Sequence, residues 1–212
     1  MQRSLDRPLV LATRNPGKIL EFRKLLSGFD VDIRSLDEFG PIPPTVEDGA
    51  TFEENAYKKA HFTARVLGLP ALADDSGLVV PALEGDPGVK SARYAGPGAD
   101  DVKNTLKLVR AMEEVKERKA AFECVIAVAV PRGPALIYEG KCEGEIAKVP
   151  AGDQGFGYDP IFYYPPLKKT FAEMSSDEKN LVSHRGKAMG ELLEEFGKVL
   201  IWLRQRLAEE PV

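Results

Sequence analysis

Short apolar runs alternate along this chain with stretches in which apolar residues recur every three or four positions, and polar clusters fall where one pattern gives way to the next. Leu9-Val10-Leu11-Ala12 is continuously apolar, the pattern of a strand buried on both faces. After Thr13-Arg14-Asn15-Pro16-Gly17-Lys18 come Ile19, Phe22, Leu25 and Leu26 at helical spacing, so this segment reads as strand, tight loop, helix. Pro41 to Pro44 forms a connector. Thr51 with Glu54 then predicts a capping box opening a second helix, with Phe52, Ala56, Ala60 and Leu67 toward the core. Asn55 and Lys59, four apart, share a neighbouring stripe of that helix. Ala71-Leu72-Ala73 predicts another buried strand ending at Asp74-Asp75-Ser76-Gly77, with Leu78-Val79-Val80 resuming beyond a bend that glycine permits.

Beyond a Gly- and Pro-rich loop from Gly85 to Gly98, the spacing of Val102, Leu106, Val109 and Met112 predicts a third amphipathic helix. Phe122 to Val130 is β-prone, Pro131 to Pro134 is a turn, and Leu136 to Tyr138 starts a returning strand that runs toward Val149. Gly152 to Asp159 is glycine-rich, and Met189, Leu192, Phe196, Val199, Leu203 and Leu207 define a long terminal helix. Alternating helices and strands predict a mixed α/β sheet with helices packed on it. Functional groups are then expected at segment ends, where rigid strands hold the loops.

Composition narrows the function classes. The chain has 212 residues, 43% of them hydrophobic, enough for one large domain or two lobes, and its net charge of -4 argues against a coat for nucleic acid. Met1 to Arg7 is polar and the apolar run after it is short, so no leader or membrane span is expected and the default compartment is the cytoplasm. The two cysteines, Cys124 and Cys142, are expected as reduced thiols without metal-ligand spacing. His61 reads as structural and Glu113 to Lys119 as a solvated helix end.

Four clusters could carry chemistry, and each has a plainer reading. The loop Thr13 to Lys18 offers a lysine and backbone N–H groups at a helix N-terminus, suited to phosphate oxygens, or else it is an ordinary strand-to-helix turn. It is not a Walker A loop, since Ala12 and Ile19 stand where that motif needs Gly and Ser or Thr. Asp74-Asp75 is either a turn or a pair from which one carboxylate holds Mg²⁺ while the other serves as its partner. Phe156-Gly157-Tyr158-Asp159 is either a stacking and hydrogen-bonding surface for a flat base or a core-anchoring turn. Ser183-His184-Arg185 either reads carbonyl oxygens or caps the terminal helix.

Taken together and in this order, these motifs resemble the inosine triphosphate pyrophosphatase, or dITP/XTP pyrophosphatase, family. The resemblance runs from about Leu9 to Leu203 and includes Thr13-x-Asn15-x-x-Lys18, Thr51-Phe52-Glu53-Glu54-Asn55-Ala56 with Lys59, and Ala73-Asp74-Asp75-Ser76-Gly77. It continues through Ser91-Ala92-Arg93-Tyr94, Gly155 to Pro160, Glu178-Lys179-Asn180 and Ser183-His184-Arg185. It implies a single nucleoside triphosphate pyrophosphatase domain over residues 1–212, an elongated two-lobed α/β fold with the nucleotide in a cleft between the lobes, and a homodimer. The implied reaction is Mg²⁺-dependent hydrolysis of ITP, dITP and XTP to the monophosphate and pyrophosphate. By the same resemblance Thr13, Arg14, Asn15, Pro16, Gly17, Lys18 and Lys59 bind phosphates, Asp75 holds metal and is the base for the attacking water, and Ser76 touches substrate. Phe156, Gly157, Tyr158, Asp159, Lys179, His184 and Arg185 form the nucleoside pocket. The family often has an acidic metal ligand before its Gly-x-Thr-Phe segment; here Glu47 and Asp48 both stand there, and Glu47 is taken as the implied second metal ligand. The expected partner is thus a small-molecule nucleotide, with neither nucleic acid nor membrane.

Two rivals remain at the level of sequence. A Maf-like pyrophosphatase would act on pyrimidine or modified nucleotides, whereas Ser183-His184-Arg185 with the Phe156 loop favours purines. A nucleotide sensor would bind without turnover, and the acidic pair beside a phosphate loop argues against it.

Overall fold

The computed structural model describes residues 5–98 and 100–208, so the expectation for the opening stretch lies outside the described residues as far as Ser4. The predicted apolar run becomes strand β1 (Leu9–Leu11), buried along its whole length. Helix α1 (Pro16–Leu26) follows, burying Ile19, Phe22 and Leu26. Strand β2 (Ile33–Ser35) and helix α2 (Phe52–Leu67) come next, then β3 (Ala71–Val79). The remaining elements are α3 (Asp101–Ala111), β4 (Lys119–Ala129), β5 (Ala135–Ile146), β6 (Phe162–Tyr164), β7 (Lys169–Thr170), α4 (Ser176–Val182) and α5 (His184–Ala208).

The strands form a mixed seven-stranded sheet in the order β2-β1-β3-β4-β5-β6-β7, the α/β class expected. β1 pairs in parallel with β2 and β3, with Val10 opposite Ala71 and Leu11 opposite Leu72, whereas β6 pairs antiparallel with β5 and β7. Among the described residues, no helix is long and apolar enough to cross a membrane.

The chain divides into two compact units. One contains the chain up to Asp75, Val125–Tyr138 and the chain from Ala188 onward. Its helix α2 presents buried Ala56, Ala60 and Ala64, small side chains that permit close packing, and α5 buries Leu192, Phe196, Val199 and Leu203. Phe29 meets Phe196 edge-on at 4.6 Å. The other unit contains Ser76–Cys124 and Glu139–Lys187. Its core gathers Leu78, Leu108, Met112, Phe122, Phe162 and Phe171, and the last three rings lie 4.6 to 5.7 Å apart.

Several local expectations change. Asp74 to Gly77 is not a turn: β3 runs through it without a break, because both buried carboxylates find lysines. Thr51 caps α2 by accepting from the Glu54 N–H, but Glu54 reaches back to the Ala50 N–H, so only half of the expected capping box forms. On α3, Val102 and Leu106 are 66% and 49% exposed, while Asn104, Thr105 and Leu108 face inward. The face turns because Asn104 and Thr105 hydrogen-bond neighbouring loops at Ala92, Ala95 and Gly157. Within the stretch read as solvated, Arg118 donates to the carbonyls of Met112, Ile146 and Ala147. Cys124 and Cys142 are both buried, and the described residues show no disulfide between them.

Candidate functional site

The first unit assembles lysines and carboxylates at the meeting of β1, α1, α2 and β3. Asn15 caps α1, its Oδ1 accepting from the Gly17 and Lys18 N–H groups at 2.9 and 3.2 Å. Two of the backbone donors offered to phosphate on sequence grounds are therefore engaged by the loop's own asparagine. Thr13 Oγ1 accepts from the Asn15 N–H, and Arg14 turns to the Ile42 carbonyl at 2.8 Å and to Asp37 at 3.5 Å. The charge this loop supplies comes from Lys18, whose Nζ lies 2.7 Å from Asp74 Oδ2.

One residue further along β3, Asp75 Oδ1 lies 2.8 Å from Lys59 Nζ, and Glu47 Oε2 lies 3.3 Å from the same nitrogen. Asn55, one helical turn before Lys59, donates to Asp75 Oδ2 at 3.2 Å. The adjacent acidic residues thus take different partners: Asp74 holds the lysine of the loop, and Asp75 holds the lysine of the helix. Burial opposes the Lys59 charge, but Asp75, Asp74 and Glu47 outweigh it and hold the ammonium above its ordinary value. Burial pushes the Asp75 carboxyl up, Lys59 and Asn55 pull it down, and the charge of Glu47 adds to the upward push, which prevails.

Glu47 and Asp75 are hard oxygen donors converging on one cation. Among the described residues, no group of three or more His, Cys, Asp or Glu side chains is placed to hold a metal ion. Two carboxylates completed by water and phosphate oxygens are the usual protein share of a Mg²⁺ site, so the donor set fits that ion.

The second unit assembles an aromatic face surrounded by cations. Phe156 is 55% exposed, yet its backbone is held firmly: its N–H donates to Asp159 Oδ2 at 2.8 Å. The Gly157 peptide is gripped from both sides by α3, its N–H donating to Asp101 Oδ2 at 2.9 Å and its carbonyl accepting from Thr105 Oγ1 at 3.1 Å. The Tyr158 hydroxyl donates to the Ser91 carbonyl. Against the Phe156 ring lie Lys179 Nζ, 4.8 Å from its centroid, and the Arg185 guanidinium at 5.7 Å. Lys179 also bonds Asp159, and Arg185 donates to Ser76 Oγ at 3.2 Å. His184 is buried, its ring stacked 4.7 Å from Phe122.

Ser183 Oγ accepts from the Gly186 N–H, and the terminal helix begins at His184, so this segment caps the helix and places two side chains at its first turn. In the first unit contacts join Lys59, Asp75 and Glu47, with Lys18 on the adjacent Asp74, and in the second they join Phe156, Asp159, Lys179 and Arg185, with Ser76 on Arg185; Arg14 turns instead to Ile42 and Asp37, the Tyr158 hydroxyl to Ser91 and the His184 ring to Phe122. Asn55, Asp101, Thr105 and Ser91 brace the site, although none of the four was assigned a role in it by sequence. For Asn55 a signal existed, its stripe shared with Lys59. For Ser91 it was the Ser91-Ala92-Arg93-Tyr94 motif, whereas Asp101 and Thr105, polar residues within a helix pattern, carried none.

The family model described as the Ham1 family matches residues 9–195. A dITP/XTP pyrophosphatase of Syntrophobacter fumaroxidans is 63% identical over 202 residues, which are 95% of this chain and 87% of that protein. Another of the same name, from Desulfotalea psychrophila, is 56% identical over 202 residues, covering 95% of this chain and 91% of that one. Among solved structures, a HAM1 protein from Coxiella burnetii matches with a TM-score of 0.86 at 44% identity, over 91% of this chain and 99% of that chain.

Proposed function

This chain belongs to the Ham1 family, and from that premise we propose that it hydrolyses the deaminated purine nucleotides ITP, dITP and XTP to the monophosphate and pyrophosphate. The observation that carries the reading is the pair of contacts on consecutive residues of β3, Lys18 with Asp74 and Lys59 with Asp75. Lys18 and Lys59 are assigned to the phosphates. Pyrophosphate leaves with several negative charges, and fixed cations that neutralise them lower the barrier more than any covalent nucleophile need do. Asp75 is the base that takes the proton of the attacking water. Burial raises its proton affinity above that of an ordinary carboxylate, which suits a base. Mg²⁺ held by Asp75 and Glu47 would supply charge neutralisation of the triphosphate. Asp74 keeps Lys18 in place.

Phe156 offers its exposed face to the base, with Tyr158 and Asp159 shaping the loop around it. Lys179 and Arg185 carry donors and no acceptors. With His184, they favour a base edge rich in acceptors, such as the 6-oxo group of hypoxanthine and xanthine. Adenine would set its 6-amino donor against donors, and sites of this kind discriminate by about 10⁴-fold. Guanine keeps the 6-oxo group, so its margin is smaller. The same reading makes the protein a cytoplasmic homodimer.

The deciding experiment incubates ITP, XTP, GTP and ATP with protein and Mg²⁺ and separates the products by chromatography. The expected outcome is pyrophosphate from ITP and XTP, with kcat/KM far above that for ATP. Orthophosphate as the product would refute the reaction, and equal values for ATP and ITP would refute the base-reading role.

A further inference from the structure

Asn55 is fully buried, and both ends of its side-chain amide are used. Its Oδ1 accepts from the Gly49 N–H at 2.8 Å, and its Nδ2 donates to Asp75 Oδ2 at 3.2 Å. The neighbours fix the orientation of the amide, since a peptide N–H can meet only the carbonyl oxygen and a carboxylate only the NH₂ group. Gly49 stands two residues after Glu47. A Cβ there would lie 2.6 Å from Asn55 Oδ1 and 2.9 Å from Glu54 Cβ, and the backbone of Gly49 is not left-handed. Glycine is required at this position by close approach alone.

From these contacts we infer that Asn55 is a positioning residue for the metal-holding pair, tying the segment that carries Glu47 to the strand that carries Asp75. The inference rests on the assignment of those two carboxylates as the Mg²⁺ ligands. Mg²⁺ tolerates little departure from octahedral geometry and short bonds, so carboxylates supplied by two separate segments must be held at one mutual spacing. Lys59 touches both carboxylates, but as a point charge on a long stem it balances their charge without fixing their direction. The planar amide of Asn55 constrains it, holding the Asp75 carboxylate at one end and the Gly49 backbone at the other. Partners of this sort typically change metal affinity or activity by 10- to 100-fold when removed.

The test compares the parent with Asn55→Ala and Gly49→Ala. Mn²⁺ is the probe, titrated into the nucleotide-free protein and followed by loss of the free-ion EPR signal; kcat, KM for ITP and melting temperature are measured alongside. Asn55→Ala removes both hydrogen bonds. Gly49→Ala leaves Asn55 present and displaces its amide from the loop side, so it decides the matter if Asn55→Ala does not fold. The expected result is Mn²⁺ binding weaker by roughly 10- to 100-fold in both variants, with kcat falling similarly and KM for ITP little changed. A folded variant that binds Mn²⁺ as the parent does, whatever its melting temperature, overturns the inference. A parent that binds Mn²⁺ more tightly than both variants yet releases no pyrophosphate from ITP keeps the inference and removes the assigned activity.

Discussion

Asp75 carries opposing influences in one carboxyl: burial and Glu47 raise its proton affinity, while Lys59 and Asn55 lower it. Replacing it by Asn keeps the shape and removes the charge and the basic oxygen. Asp75→Asn is therefore expected to stay folded by circular dichroism and to lose roughly 10² to 10⁴ in kcat. Near-normal turnover would shift the role to Asp74 or Glu47. The upward direction of the shift sets the sign of the pH dependence. The base must be ionised to act, so kcat/KM for ITP should fall on the acid side, and because a cation bound to the carboxyl opposes the upward push, that limb should move to lower pH as Mg²⁺ is raised, which pH–rate profiles at two Mg²⁺ concentrations check. Burial also pushes the Cys142 thiol up to about 11. Little thiolate is present at about pH 8, so iodoacetamide should leave Cys142 unlabelled in the native protein and label it after unfolding, as mass spectrometry would show.

Between α4 and α5 the backbone is extended at Ser183, and Gly186 passes so close to the Asn180 carbonyl that a Cβ would collide with it. Gly186→Ala should cost about 1–3 kcal/mol in denaturant unfolding and weaken ITP binding by displacing His184 and Arg185. Hydrophobic period, with the capping and turn residues beside it, located α1, α2, α3, β1, β4, β5 and the body of α5, and in α1 and the body of α5 the apolar stripe that predicted the helix is the one it buries. It failed at Asp74 to Gly77, where two aspartates, a serine and a glycine look like a turn and only the lysines at positions 18 and 59 make a strand affordable. On α3 it predicted the helix but not its inward face, since hydrogen bonds from Asn104 and Thr105 outweigh the apolar pull of Val102 and Leu106. Strand β2, only three residues long, has no period to read. The site residues were legible as motifs in order along the chain. Their braces were not, because a bond such as Asp101 to Gly157 joins positions 56 residues apart.

At the scale of the whole molecule, a chain with a net charge of -4 must draw in a polyanion, and the first unit answers with Lys18 and Lys59, each already neutralised by a carboxylate. Lysines so paired offset only part of the charge of a triphosphate, so turnover should depend on a divalent cation. Activity is expected to vanish after chelation with EDTA and return with added Mg²⁺, and activity that persists after thorough chelation would refute the metal assignment. Three consecutive positions of β3 carry the partner of the loop lysine, the assigned base and the hydroxyl that receives Arg185. Side chains alternate along a strand, so one inserted or deleted residue between Ala71 and Ser76 would reverse the facing of all that follow. Descendants of this chain can therefore change what they accept by altering the Phe156 loop or the α4–α5 junction. The reading frame of this strand is closed to that kind of change: length variation here would abolish the lineage's chemistry in a single event and leave no intermediate for selection to improve.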